Sequence, residues 1–241
     1  MEKVINKQNV KQFAYVNDAV CKRPIRGIVL NFFGLNNTST FSSDTAEGRF
    51  FGERGIVYIT PYTNPWAWMN AQTVAFVDDV VAAVSERLGL GNDLPIVSSG
   101  ESMGGQSALT YCVYAKRTPV SCVVNCPVCD TLYHYSERDD LPRTMYSALC
   151  TYEASLEQAL RSVSPLHLAD RMPRIQYCIF HCEADRAVNI RLHSDVFVAA
   201  MRRAGRNVLY HTVPNRGHCD LDENARKLYA QYIADAFDCR R

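Results

Sequence analysis

The feature that most constrains this chain is Gly100-Glu101-Ser102-Met103-Gly104, set between an apolar segment and a helical one. It fits G-x-S-x-G, the pattern of a nucleophile elbow, in which a serine sits on a sharp strand-to-helix turn that lifts its hydroxyl clear of a sheet. The two glycines let neighbouring backbone pass close by without a side-chain clash. Chance alone yields on the order of 0.1 such matches in a chain this long, so the context carries the reading. Residues 94–99, Leu-Pro-Ile-Val-Ser-Ser, read as a short buried strand. Residues 103–117 read as a helix, with Leu109, Cys112 and Val113 at helical spacing. Strand, Gly-rich turn and helix together are the context the motif requires.

Strand-like and helix-like segments alternate along the rest of the chain, which points to a mainly parallel sheet wrapped by helices. Residues 12–19, 27–31, 55–60, 120–126, 174–180 and 207–213 read as strands. Val74, Val77, Val81, Val84 and Leu88 share one helical face, and Gly89 and Gly91 end that helix. Residues 190–203 read as a helix stopped at Gly205. A final helix over 222–237 turns Ala225, Leu228, Tyr229, Tyr232, Ile233 and Ala236 inward. Residues 130–163 form a longer, Tyr-rich and charged insertion. With 241 residues, 47% of them hydrophobic, the chain is expected to be one α/β domain over 1–241.

The formal net charge is +1 and no Lys/Arg run is present, which argues against a nucleic-acid or membrane-surface partner. The first residues have no apolar stretch of the signal-peptide kind, and the longest apolar runs are strand-sized. With ten cysteines, this predicts reduced thiols in a cytoplasm rather than a disulfide framework. Cys126-Pro127-Val128-Cys129 is a single CxxC, whereas a closed structural zinc site needs four ligands. Buried core thiols are therefore the expectation, and no metal or cofactor is called for.

A serine nucleophile needs a base within hydrogen-bond reach, and the base needs a carboxylate to hold its tautomer. Asp185 follows the strand read at 174–180, and His218 follows the strand read at 207–213. Both stand at the carboxyl edge of a sheet, where open α/β folds gather their sites. Asp195 falls inside a helix and Asp170 precedes its strand, which makes them poorer acids. His211 alternates within a strand, while His134, His167, His181 and His193 are read as structural or exposed.

The order Ser, acid, His is that of the α/β-hydrolases, and the chain resembles their prolyl-oligopeptidase-like serine hydrolase branch over roughly residues 70–237. Gly-Glu-Ser-Met-Gly-Gly at 100–105 is similar to the family's elbow. Cys126-Pro127-Val128-Cys129-Asp130 is similar to its Pro-Val-x-Asp segment, and Ser164-Pro165 with Met172-Pro173 to the lead into its acid strand. His181-Cys182-Glu183-Ala184-Asp185-Arg186-Ala187-Val188 resembles His-Gly-x-x-Asp-x-x-Val, with Cys182 in place of glycine. Arg203-Ala204-Gly205 and Gly217-His218 complete the series. The resemblance implies an α/β-hydrolase fold with Ser102 as nucleophile, Asp185 as acid and His218 as base. It also implies an oxyanion hole from the backbone N–H groups of Phe33 and Met103, with Phe32 a rival for the first. Asn31-Phe32 stands where the family usually has His-Gly. No β-propeller precedes the hydrolase part, so small esters are expected rather than oligopeptides. A peptidase or amidase with the same triad, and a non-catalytic binding protein on the same fold, are the alternatives.

Three further expectations concern the surroundings. Tyr62-Thr63-Asn64-Pro65-Trp66-Ala67-Trp68-Met69 is an aromatic loop near the same sheet edge, so Trp66 and Trp68 are candidate pocket walls; packing onto the core is the alternative. The 130–163 insertion is expected to be a small cap, whose removal would change substrate preference more than folding. Cys219 abuts His218, so its alkylation or oxidation would interfere with the site.

Overall fold

The computed structural model describes residues 4–238. Its elements are β1 (Ala14–Val16), β2 (Gly27–Phe32), α1 (Ala46–Gly52), β3 (Ile56–Pro61), α2 (Ala71–Leu88), β4 (Ile96–Glu101) and α3 (Met103–Tyr114). They continue as β5 (Ser121–Asn125), α4 (Thr131–His134), α5 (Leu141–Leu149), α6 (Leu156–Ser162), β6 (Gln176–Cys182), α7 (Ser194–Arg203), β7 (Asn207–Val213) and α8 (Glu223–Asp235). One sheet takes the order β1-β3-β2-β4-β5-β6-β7. The β1–β3 pair is antiparallel and every other pair is parallel.

The strands are apolar on both sides because both faces are covered. Alternation sends Ile28 and Leu30 of β2 to one face and Val29 to the other. On the first face lie α2, α3 and α7, through Val77, Val81, Leu109 and Phe197 among others. On the second lie α1 and α8, through Phe51 and Ile233. The α2 helix has the ends its sequence suggests: the Asn70 side chain accepts from Thr73 N–H, and Gly89 closes it at φ 66°. In α8, Ile233 is buried, with Ala225, Leu228, Tyr229, Tyr232 and Ala236 packed beside it.

Several boundaries differ from the sequence reading, each for a local reason. The first strand is cut to three residues: Val10–Gln12 is a 3-10 turn and Asn17 leaves the ladder. The fully buried Asn17 side chain instead donates to Gly48 O and Ile56 O and accepts from Tyr58 N–H. Helix α1 was not anticipated; Thr45 caps it by accepting from Gly48 N–H. The sixth strand begins and ends later than read, which places His181 and Cys182 inside it, both buried. The helix read at 190–203 begins at Ser194.

The 130–163 segment folds as α4, α5 and α6 and builds a core of its own against the body. Leu141, Met145, Leu149 and Leu160 pack with Trp68, Met103, Val128 and Val188. Glu137 pins the segment to the chain before α7, accepting from His134 Nδ1 at 2.6 Å and His193 Nε2 at 3.0 Å. Burial works against that charge, but the two imidazoles outweigh it and hold the Glu137 carboxyl down at about 2. Deleting 134–160 would therefore uncover Trp68, Met103 and Val128. We expect loss of soluble protein rather than a folded variant with altered preference, checked by soluble yield and circular dichroism.

Candidate active site

The elbow rests on three glycines. A Cβ on Gly104 would lie 2.1 Å from Phe32 O, one on Gly100 2.4 Å from Gly104 O, and one on Gly105 2.9 Å from the Pro127 Cβ. Their absent side chains let the start of α3 press against the end of β2. Ser102 sits at the bend with φ 57° and ψ −125°, a conformation that costs a non-glycine residue about 1–3 kcal/mol. The surroundings hold it there: its N–H donates to Asn125 O, and its carbonyl accepts from Gln106 and Val128 N–H.

Ser102, His218 and Asp185, separated by up to 116 positions, form one hydrogen-bonded chain. His218 Nε2 is 2.9 Å from Ser102 Oγ, and His218 Nδ1 is 2.6 Å from Asp185 Oδ2. The Asp185 side chain is fully buried and the His218 side chain 28% exposed. Asp185 Oδ1 accepts from the N–H groups of Ala187 and Val188, at 2.8 and 2.9 Å. Burial raises the Asp185 pKa, but hydrogen bonds from His181, His218 and Val188 outweigh it and hold the carboxyl far below its usual range. Since an ionised Asp185 only accepts, the proton on Nδ1 is fixed and the neutral ring turns its Nε2 lone pair to Ser102.

His218 shows the reciprocal effect. Burial lowers its pKa, but the hydrogen bond and charge of Asp185, with Cys126 beside it, raise it to about 9. A raised histidine contributes stability fully below its unfolded value of about 6.5 and loses it as pH rises through the folded value. The His218–Asp185 pair therefore supports the fold at neutral pH and fades towards pH 9.

The oxyanion candidates lie on either side of Ser102. Met103 is the first residue of α3, so its N–H has no acceptor within the helix. Phe33 follows β2 directly, and a Cβ on the adjacent Gly34 would lie 3.7 Å from the Ser102 Cβ. Phe32, the alternative, is the last ladder residue, paired with Gly100, and is 2% exposed.

The aromatic loop is placed differently from a pocket wall at the serine. Trp68 is 1% exposed, donates its indole N–H to Thr144 Oγ1 and belongs to the core beneath α5. Trp66 borders a cleft of about 270 Å³ with Tyr62, Asn70 and Phe76, which none of the triad residues lines. Sequence reasoning missed the larger cavity, about 490 Å³, lined by Phe33, Gly34, Glu101, Asn125 and Cys219; the triad residues do not line it either, but their chain neighbours Glu101 and Cys219 do. Its one sequence signal was Glu101 inside the elbow motif itself. His181 was also missed. Its ring donates from Nε2 to Val188 O, stands 3.4 Å from Asp185 Oδ2, and its Nδ1 is 2.6 Å from Ser194 Oγ. The His-x-x-x-Asp spacing was its signal.

The rejected acid Asp195 accepts from Tyr210 OH, and the rejected base His211 stacks on Phe180. Among the described residues, three clusters bring potential metal-ligand atoms within 4.8 Å of one another: Cys126, His218 and Cys219; Cys126, His181 and Asp185; and His134, Glu137 and His193. In the last, His193 Nδ1 accepts from the N–H groups of Cys129 and Asp130, so its Nε2 carries the proton given to Glu137. Cys126 Sγ accepts from Cys182 and Cys219 N–H, and Cys129 is buried in the core.

Two outcomes follow from this geometry. Gly104→Ala should lower stability by about 1–3 kcal/mol or prevent folding, read by urea unfolding, because backbone rather than a flexible side chain blocks the new methyl. Asp185→Asn should bring the His218 titration, followed by NMR, down from about 9.

No curated protein sequence matches the chain. Solved structures match it in fold. A puromycin-hydrolyzing peptidase of Mycobacterium tuberculosis is 15% identical with a TM-score of 0.69, over 90% of this chain and 34% of that one. The chain thus spans about a third of that peptidase's length. A truncated carbohydrate esterase from gut microbiota is 15% identical with a TM-score of 0.70, over 90% of this chain and 88% of that one. The S-formylglutathione hydrolase of Agrobacterium tumefaciens is 17% identical with a TM-score of 0.68, over 94% and 87%. The fold is that of the α/β-hydrolases. Residues 67–237 match the family model described as the prolyl oligopeptidase family, and the chain belongs to that family of serine hydrolases.

Proposed function

We propose that this protein hydrolyses carboxylic esters of small substrates through an acyl-enzyme on Ser102. The observation that carries the reading is the unbroken hydrogen-bonded chain from Ser102 through His218 to Asp185. Neutral His218 takes the Ser102 proton at Nε2 as Oγ attacks the ester carbonyl. Asp185 keeps the Nδ1 proton in place and stabilises the imidazolium. The N–H groups of Phe33 and Met103 receive the oxyanion, a contribution of about 3–4 kcal/mol where one such donor has been removed from a related site. The C–O bond of the ester then breaks, and His218 gives its proton to the leaving alcohol. Water, deprotonated by the same nitrogen, attacks the acyl-enzyme; the acyl–Oγ bond breaks as His218 returns that proton to Ser102 Oγ, releasing the acid and restoring the free serine.

Ester rather than amide cleavage is favoured by the similar structures that match along most of their own length. They are described as a carbohydrate esterase and an S-formylglutathione hydrolase, whereas the peptidase matches over a third of its length. A peptidase or amidase activity is the second reading, supported by the family model. No helix among the described residues is long and apolar enough to cross a membrane. The nine described cysteines are free thiols, which fits the reducing cytoplasm proposed as its location.

A fluorophosphonate probe should label the wild type at Ser102, located by mass spectrometry, and leave Ser102→Ala unlabelled. Folded wild type that resists the probe would turn the reading towards a binding protein. Aryl esters should turn over faster than aminoacyl anilides; the reverse order would establish the peptidase reading. The rate should climb with pH towards a plateau above about 9, as His218 loses its proton. Asp185→Asn should lower kcat by about 10³–10⁴-fold.

A further inference from the structure

The cavity lined by Gly34, Gly100 and Glu101 reaches the residues around Ser102 rather than Ser102 or His218 themselves, and it is bordered by one acceptor, Asn125 Oδ1, that no described residue satisfies. Asn125, the last residue of β5, is 3% exposed. Its Nδ2 donates to Cys219 O at 3.2 Å, which fixes which end of the amide is oxygen. Its Oδ1 is buried without a hydrogen-bond partner. A buried acceptor in that state is uncommon in folded proteins and invites a donor from outside the chain. Two carboxylic acids border the same space, Glu47 from α1 and Glu101 from the elbow, against one base, Arg226. Arg226 donates to Leu221 O, and all three charged residues, Glu47, Glu101 and Arg226, are exposed at the cavity rim. Phe33, Phe41, Phe51, Tyr58 and Tyr229 supply aromatic surface to the cavity, and such rings attract cations.

We propose that this cavity receives a protonated amine carried by the substrate, with Glu101 as the residue that selects for it. The proposal rests on the ester-hydrolase reading. Glu101 immediately precedes Ser102, and it shares the cavity with Gly34, whose backbone runs beside the serine. An ammonium group donates hydrogen bonds and carries positive charge, which answers both the orphan amide oxygen and the excess of acids. A neutral hydroxyl would answer only the first. Though Glu101 is exposed, the protein packed around its carboxyl desolvates it and raises its pKa, with the His218 charge and the Asn125 amide pulling it back, so a bound cation would favour the ionised acid.

The test uses two pairs of isosteric esters at near-neutral pH. One pair varies the alcohol, 2-(dimethylamino)ethyl against 3-methylbutyl butanoate. The other varies the acyl group of one aryl ester, 4-aminobutanoyl against pentanoyl. In at least one pair the cationic member should be favoured roughly tenfold or more in kcat/KM. That ratio should fall towards one in Glu101→Gln, mainly through KM, and part-way in Glu47→Gln. Equal or better use of the neutral member in both pairs would overturn the proposal while leaving the hydrolase reading intact. So would a ratio that Glu101→Gln does not change. If no ester turns over and the serine resists fluorophosphonate, it is the hydrolase reading that fails. Calorimetric titration of Ser102→Ala with the first pair then decides the cavity on its own: tighter binding of the amine ester supports it, and equal binding overturns it.

Discussion

The close approach of backbone to backbone at the elbow is the constraint on which the rest of the site depends. Gly104 stands where any side chain would strike the carbonyl of Phe32, and Gly100 where one would strike Gly104. That contact presses the start of α3 against the end of β2. It forces Ser102 into its positive-φ turn and leaves the Met103 N–H at an open helix start. It also runs the Phe33–Gly34 backbone past the serine. The strain at Ser102 is sustained because hydrogen bonds from both neighbouring segments hold its backbone.

The electrostatics are arranged around a single buried acid. Asp185 is fully buried as a side chain, and its charge is sustained by two backbone N–H groups and two imidazoles. That concentration of donors keeps it ionised and raises His218 in turn. His181 belongs to this arrangement as a positioning residue: its ring bonds to Val188 O and pairs with Ser194, which steadies the turn that presents Asp185. Glu137 holds the chain just beyond that turn from the opposite side, through His193.

The two sides of the elbow are treated differently. On the side of Met103 and Val128, Leu141, Met145 and Leu160 of helices α5 and α6 fill the space together with Trp68 from the loop before α2. On the side of Glu101 and Gly34, Phe51, Tyr58, Leu221 and Ile233 of the second-face core wall a cavity that acids also border. The insertion acts here as filling for the first side, while α1 and α8 wall the second.

Much of this was legible in the chain. The strand–turn–helix around Ser102, the α2 face of Val74, Val77, Val81 and Val84, and the parallel alternation all arise from local chemistry: residue spacing, glycine at turns and caps at helix ends. Asp185 and His218 were readable because each follows a strand, and parallel strands deliver their following loops to one edge. The short β1, the helix α1 and the fates of Trp68, His181 and Asn125 were not, because each is settled by a partner distant in sequence. Asn17 gives up its strand for Gly48, Ile56 and Tyr58. Trp68 is drawn inward by Thr144 and the α5 core. Asn125 Oδ1 has no hydrogen-bond partner among the described residues, while its Nδ2 is taken by Cys219, 94 positions away. The sequence by itself determined the sheet, the elbow and the identity of the chemical groups. Only the tertiary structure decided which side of the serine is filled and which is open, since that depends on how side chains far apart in the chain pack together.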